Sequence, residues 1–313
     1  MKYKNLGGIE VSRLALGLMR IADKPMQNVD RLIRAALDIG VNLFDNADIY
    51  GGGSCESKLG ELIKIDPSLR QKIVLQTKCG IKGGMYDLNH DHIISSVEGS
   101  LKRLNTDHID ILLLHRPDTL MRPEQIARAF DELERSGKVR LFGVSNFSAQ
   151  QTEFLQRTVK QKLIANQLQL GPAYCPIIDY GINVNTDHPS ACDKSGGVLE
   201  YCRMNDITIQ TYGTMQCEFT DETGYFFRGA ITENKANEKY FALNALLNGL
   251  AQKYDVTPEA VAIAWVLHHP ADMQAIVGTT LDKHMLGYKD CCEVTLTDYE
   301  WYKIYESAGH RLP

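Results

Sequence analysis

Eight short apolar runs recur along the chain, and most of the stretches between them carry apolar residues at helical spacing. The runs fall at 14–19, 41–44, 72–78, 109–115, 141–146, 164–167, 207–212 and 274–277. Helical patterns fall at 29–37, 57–65, 92–104, 124–135, 150–159, 199–204, 239–254 and 259–268, with a last one at 299–307. Short continuous apolar runs read as strands buried on both faces, and the alternation with helices implies parallel strands joined by right-handed crossovers. Eight such units closing on themselves make a (β/α)8 TIM barrel, with its active site at the C-terminal ends of the strands. The competing architecture, a doubly wound open sheet, calls for a glycine-rich fingerprint after its first strand. Here Gly17 stands alone in Leu16-Gly17-Leu18-Met19-Arg20. Residues 3–11 read as an N-terminal β-hairpin turning at Gly7-Gly8, expected to close the barrel end away from the active site. No linker or low-complexity tract interrupts the pattern, so residues 1–313 are expected to form a single domain.

Composition narrows the function classes. The formal net charge of -5 argues against an electrostatic nucleic-acid partner. No apolar run reaches the length of a membrane span, and the first residues lack the apolar region of a signal peptide. The 8 cysteines contain no CxxC pair, so they are expected to be reduced thiols of a cytoplasmic protein.

Chemistry-bearing residues sit where the strands end. The second run ends directly in Asp45, and Tyr50 follows in the next loop, just before Gly51-Gly52-Gly53. The third run ends in Lys78 and the fourth in His115. In a barrel these ends meet at one mouth. A free phenol titrates near 10 and is a poor proton donor at neutral pH, but an adjacent ammonium stabilises its anion. A carboxylate holds the ammonium charged, and a histidine polarises a carbonyl oxygen. This set suits reduction of an aldehyde or ketone, with Tyr50 as general acid, Lys78 tuning it, Asp45 holding Lys78 and His115 orienting the carbonyl.

With these residues in place, the chain resembles the aldo-keto reductase superfamily over nearly its whole length. Asp45, Tyr50, Lys78 and His115 match that family's catalytic tetrad. Gly143-Val144-Ser145-Asn146-Phe147 resembles its motif for the nicotinamide carboxamide, which implies that Ser145, Asn146 and Gln167 bind there. The resemblance places Tyr212 against the nicotinamide ring, with Gly213 and Thr214 beside it and Gly17, Leu18 and Met19 at the first strand's end. Gly278, Thr279 and Thr280 resemble the start of the segment that holds the adenosine phosphate of NADP, which continues through Lys283, His284 and Tyr288. His284 stands in place of a family arginine, and Gly278 where a lysine or arginine is frequent. The resemblance implies NADP(H) as cofactor, with NAD(H) as the alternative, a small carbonyl or alcohol substrate, and no metal. The short tail is similar to that of bacterial members.

Two other readings compete. His90-Asp91-His92 and His268-His269 are the prompts for a metal-dependent barrel hydrolase, though neither lies on a strand end. A non-catalytic barrel that senses cofactor is the second. Substrate choice is expected to rest on loops 52–55, 82–89, 171–195 and 215–237; the last two lack any periodicity.

Overall fold

A computed structural model describes residues 1–216 and 240–313. Eight parallel strands form a closed barrel in chain order: Leu14–Gly17, Leu43–Asp45, Val74–Cys79, Ile109–Leu114, Val139–Ser145, Leu163–Gln169, Thr208–Tyr212 and Gln274–Val277. They are called here the first to eighth strands. The expected (β/α)8 barrel is the observed fold. Helices such as Met26–Asp38, His90–Leu104 and Pro123–Arg135 return the chain over the outside, each with an apolar face on the sheet.

The hairpin Tyr3–Leu6 with Ile9–Ser12 lies where it was expected. Gly7 and Gly8 take φ of 60° and 94°, the left-handed turn that glycine adopts without strain. A side chain on Gly7 would press on Leu141 and Ile164, near the N-terminal ends of the fifth and sixth strands. Leu6 and Val11 join Ala15, Leu43, Val74, Ile111 and Ile276 in an apolar plug at that end. The opposite mouth is thereby left for ligands.

Differences from the sequence reading have local causes. Lys72 ends a short helix, Ser68–Lys72, so the third strand begins two residues later and runs one past Lys78. A small hairpin, Ile81–Lys82 with Met85–Tyr86, turns at Gly83-Gly84 and is too short to show alternation. Within 171–195 a helix, Pro176–Ile182, and a 3-10 turn, Pro189–Ala191, appear where no periodicity showed, since two turns or fewer cannot establish a period. The helix expected at 239–254 is seen as Phe241–Tyr254. Most of the loop at 215–237 lies outside the described residues. No described helix is long and apolar enough to cross a membrane.

Candidate active site

Register and alternation bring the four strand-end groups together. Asp45 pairs with Gly17 on one side and Gln76 on the other. Along the third strand Gln76 and Lys78 face the barrel axis, while Thr77 and Cys79 face the helices. Lys78 is fully buried, and its Nζ donates to Asp45 Oδ2 at 2.7 Å, to the Asn46 carbonyl at 2.8 Å and to Tyr50 Oη at 3.2 Å. Three acceptors use all three protons of an ammonium. Tyr50 Oη therefore accepts from lysine, and its own proton is directed elsewhere, toward the cavity it lines. Gly51 and Gly52, with φ of 58° and 64°, make the turn that carries Tyr50 back over the strand ends. His115 follows the fourth strand, anchored by its N–H to the Cys79 carbonyl, and its ring meets that of Tyr50 edge-on at 5.7 Å.

Beneath this group lies a layer of amides. Gln167, Gln210 and Gln274 occupy one register level on neighbouring strands. Asp45 Oδ1 accepts from Gln76 Nε2 at 2.6 Å and from Gln167 Nε2 at 3.1 Å. Gln76 and Gln210 exchange hydrogen bonds at 3.0 and 2.9 Å, Gln210 donates to Gln274 at 2.9 Å, and Gln274 donates to the Ser12 carbonyl at 2.6 Å. The amide nitrogen of Gln167, expected to face a nicotinamide, is thus directed at Asp45. A buried carboxylate is tolerable only when its lone pairs are filled, and the layer fills them.

Electrostatics correct one expectation. Lysine was expected to make Tyr50 more acidic than a free phenol. Burial instead raises its pKa, and the pull of Lys78 offsets this only in part. For Lys78, burial disfavours the charge, but Asp45 and Tyr50 outweigh it and its pKa rises. His115 is pushed down to about 3 by burial, then by Lys78 and Arg116. It is neutral at physiological pH. Its Nδ1 is buried without a partner among the described residues, which leaves Nε2 as the nitrogen able to serve a ligand.

Behind the loop, Asp48 is pushed up to about 6 by burial and then by Glu56, which itself accepts from Thr77 and pairs with Arg103 at 2.7 Å. An aspartate whose folded pKa exceeds its unfolded value binds its proton more tightly when folded. Its contribution therefore falls as pH rises from about 4 to 6 and stays unfavourable above. Asp48→Asn is expected to stabilise the protein by roughly 1–3 kcal/mol at pH 8 and by much less at pH 4. Denaturant melts at both pH values check this, and a difference independent of pH would refute it.

The mouth opens into a cavity of about 730 Å³, within the range of small-molecule sites. It runs from Tyr50 and His115 past Gly17, Met19, Ser145, Asn146, Gln167, Tyr212, Gly213 and Thr214 to Gly278, Thr279, Thr280, His284 and Tyr288. Tyr212 donates to Asn146 Oδ1 at 2.9 Å, and Asn146, at φ 62°, donates to Ser145 Oγ at 2.9 Å. Two of the expected residues stand apart. Leu18 is wholly in the core, and Lys283 is exposed outside the cavity wall. The sequence reading missed Arg20, Arg116 and Glu259, all in the wall. Arg116 directly follows a strand-end histidine and was the most readable of them. Of the loops expected to select substrate, only Met215 and Gln216 line the cavity among the described residues; Ile49 and Ile81 also line it.

The thiols nearest the tetrad in sequence and the histidine pairs fall elsewhere. Cys79 packs with Leu88, Ile93 and Leu114 between barrel and helices, and burial raises the pKa of both Cys55 and Cys79, which makes them poor nucleophiles. His90 bonds Asp91 and Glu132 at the surface, and His268 bonds Asp298. Neither pair converges on the mouth.

Comparison with known proteins identifies the family and agrees with the barrel fold. The profile described as Aldo/keto reductase family matches residues 13–308. The chain is 33% identical to the oxidoreductase YdhF of Escherichia coli (strain K12) over 98% of this chain and 97% of that one. It is also 33% identical to a 6-dehydroglucose reductase of Agrobacterium fabrum, over 96% and 95% of the two chains. Among solved structures, the thermostable aldo-keto reductase Tm1743, determined with the inhibitor epalrestat, superposes with a TM-score of 0.75 at 24% identity, covering 98% of this chain and all of the other; this likeness is one of fold.

Proposed function

The chain belongs to the aldo/keto reductase family and is an oxidoreductase acting on carbonyl compounds, and from that premise we propose that it reduces an aldehyde or ketone to an alcohol using NADP(H). Residues 1–313 act as one domain in this reading. The observation that carries it is the Asp45–Lys78–Tyr50 chain of hydrogen bonds, which leaves a phenol proton facing the cavity beside a neutral imidazole.

The cavity wall fits a nicotinamide dinucleotide. It is long enough to continue from the tetrad to His284, the position of a side chain on Gly278 is open space, and Thr214 Oγ1 is buried there without a partner among the described residues. Ser145, Asn146 and Tyr212 would hold the nicotinamide end, and Thr279, Thr280, His284 and Tyr288 the adenosine end. When bound, the nicotinamide supplies a hydride. The substrate oxygen accepts from Tyr50 Oη and His115 Nε2. As negative charge builds on that oxygen, Tyr50 gives up its proton, and Lys78 holds the phenolate that remains. A neutral His115 donates without competing for the proton. Turnover of an aldehyde panel that includes 6-dehydroglucose, followed by loss of NADPH absorbance, tests the reading. Tight NADPH binding with no turnover of any member would favour the cofactor-sensing barrel instead.

Preference for NADP(H) rests on His284, since Lys283 is outside the wall and Glu259 within it. His284→Ala removes that side chain from the wall, so the NADPH-over-NADH ratio of kcat/KM is expected to fall. Glu259→Gln removes a negative charge near the phosphate and should raise the ratio roughly fivefold, the equivalent of about 1 kcal/mol. A ratio that ignores both changes, or tighter binding of NADH than of NADPH, would refute the preference.

A further inference from the structure

Away from the cavity, three side chains of different donor chemistry converge where the C-terminal tail crosses the segment after the sixth strand. Cys175 precedes the helix Pro176–Ile182 and Asp179 lies one turn on, so the two share a face. His310 comes from the tail. Cys175 Sγ lies 3.4 Å from Asp179 Oδ1 and 3.3 Å from His310 Nε2, and His310 Nδ1 lies 3.3 Å from Asp179 Oδ1. Among the described residues this is the one such group of three with its donor atoms so close. A tetrahedral zinc site places neighbouring donors roughly 3.3–3.6 Å apart, which the separations of Asp179 Oδ1 from Cys175 Sγ and from His310 Nδ1 match.

The surroundings are those of a held site. Tyr305 donates to Asp179 Oδ1 at 2.8 Å, and its ring stacks on His310 at 4.7 Å. His310 Nε2–H donates to the Pro172 carbonyl at 2.8 Å, which leaves Nδ1 as the nitrogen for a metal. Partners of this kind fix ligand orientation around bound metals. Cys175 is fully buried, while the side chains of Asp179 and His310 are each 15% exposed, which leaves a way in from solvent.

We propose that Cys175 Sγ, Asp179 Oδ1 and His310 Nδ1 bind Zn²⁺, with the fourth position taken by water. One thiolate, one imidazole and one carboxylate suit zinc; calcium and magnesium take oxygen ligands. On binding, the thiol proton leaves to solvent and the sulfur lone pair bonds the metal, so affinity rises with pH. The site would tie the tail to the segment at 171–175. That segment backs onto the cavity: a Cβ on Gly171 would come within 2.3 Å of the carbonyl of Thr214, a residue of the cavity wall. Zinc there stiffens the wall without entering the reaction.

Co²⁺ is the probe, added to chelator-treated, tag-free protein. The expected result is a thiolate-to-cobalt charge-transfer band that saturates at one equivalent and is abolished by one equivalent of Zn²⁺. Cys175→Ser should lose the band. His310→Gln, in the C-terminal tail, should weaken cobalt binding at least as much as the roughly 10–100-fold that loss of an outer partner costs. No band from the unaltered protein overturns the proposal, and this reading needs no variant to fold. A band that persists in Cys175→Ser also overturns it, by placing the metal on another thiol.

Discussion

Tyr50→Phe is expected to slow single-turnover reduction of an activated aldehyde by about 10²–10⁴-fold or more, the usual contribution of general acid catalysis, while NADPH affinity stays nearly unchanged. The variant keeps the ring and its edge-on contact with His115 and removes only the hydroxyl. Lys78 then loses one of three acceptors but keeps Asp45 and the Asn46 carbonyl, so the barrel should remain intact. The pH profile of the unaltered enzyme belongs to the same test. Tyr50 has a raised pKa, so the acid form persists to high pH, and reduction should decline only above the ordinary tyrosine range. His115, at about 3, should add no limb between pH 5 and 9. Near-normal turnover by Tyr50→Phe would remove Tyr50 as the acid.

Lys78→Met is expected to be as severe for turnover and also to cost stability. Asp45 Oδ2 would lose its partner, and breaking a buried ion pair costs about 3–5 kcal/mol. The two effects separate in Lys78→Met combined with Asp45→Asn, which removes the orphaned charge. Stability should largely return and turnover should not, because the phenolate still has no cation beside it. Recovery of single-turnover rate along with stability would reduce Lys78 to a structural role. Tyr50→Phe with Lys78→Met should be little worse than the worse single variant, since the pair acts as one unit.

The sequence alone was enough to read the barrel, the far-end hairpin and the four strand-end groups. Each of these is local: an apolar run marks a strand, a glycine pair marks a turn, and the residue ending a parallel strand faces the mouth. The final strand, Gln274–Val277, was readable to the residue for that reason. What only the tertiary structure decided depends on sums over distant parts of the chain. The amide layer needs the register of strands some 130 residues apart, as in Gln76 with Gln210, which no local pattern encodes. The direction of the Tyr50 shift is a contest between burial and Lys78, and burial is invisible until the walls close. Lys283 and His284 are neighbours in sequence, yet only His284 faces the cavity, because successive helical residues point about 100° apart. Arg116 was within reach of the strand-end argument. Glu259 was not, since it lies at the start of a helix far along the chain and reaches the cavity only once the barrel closes.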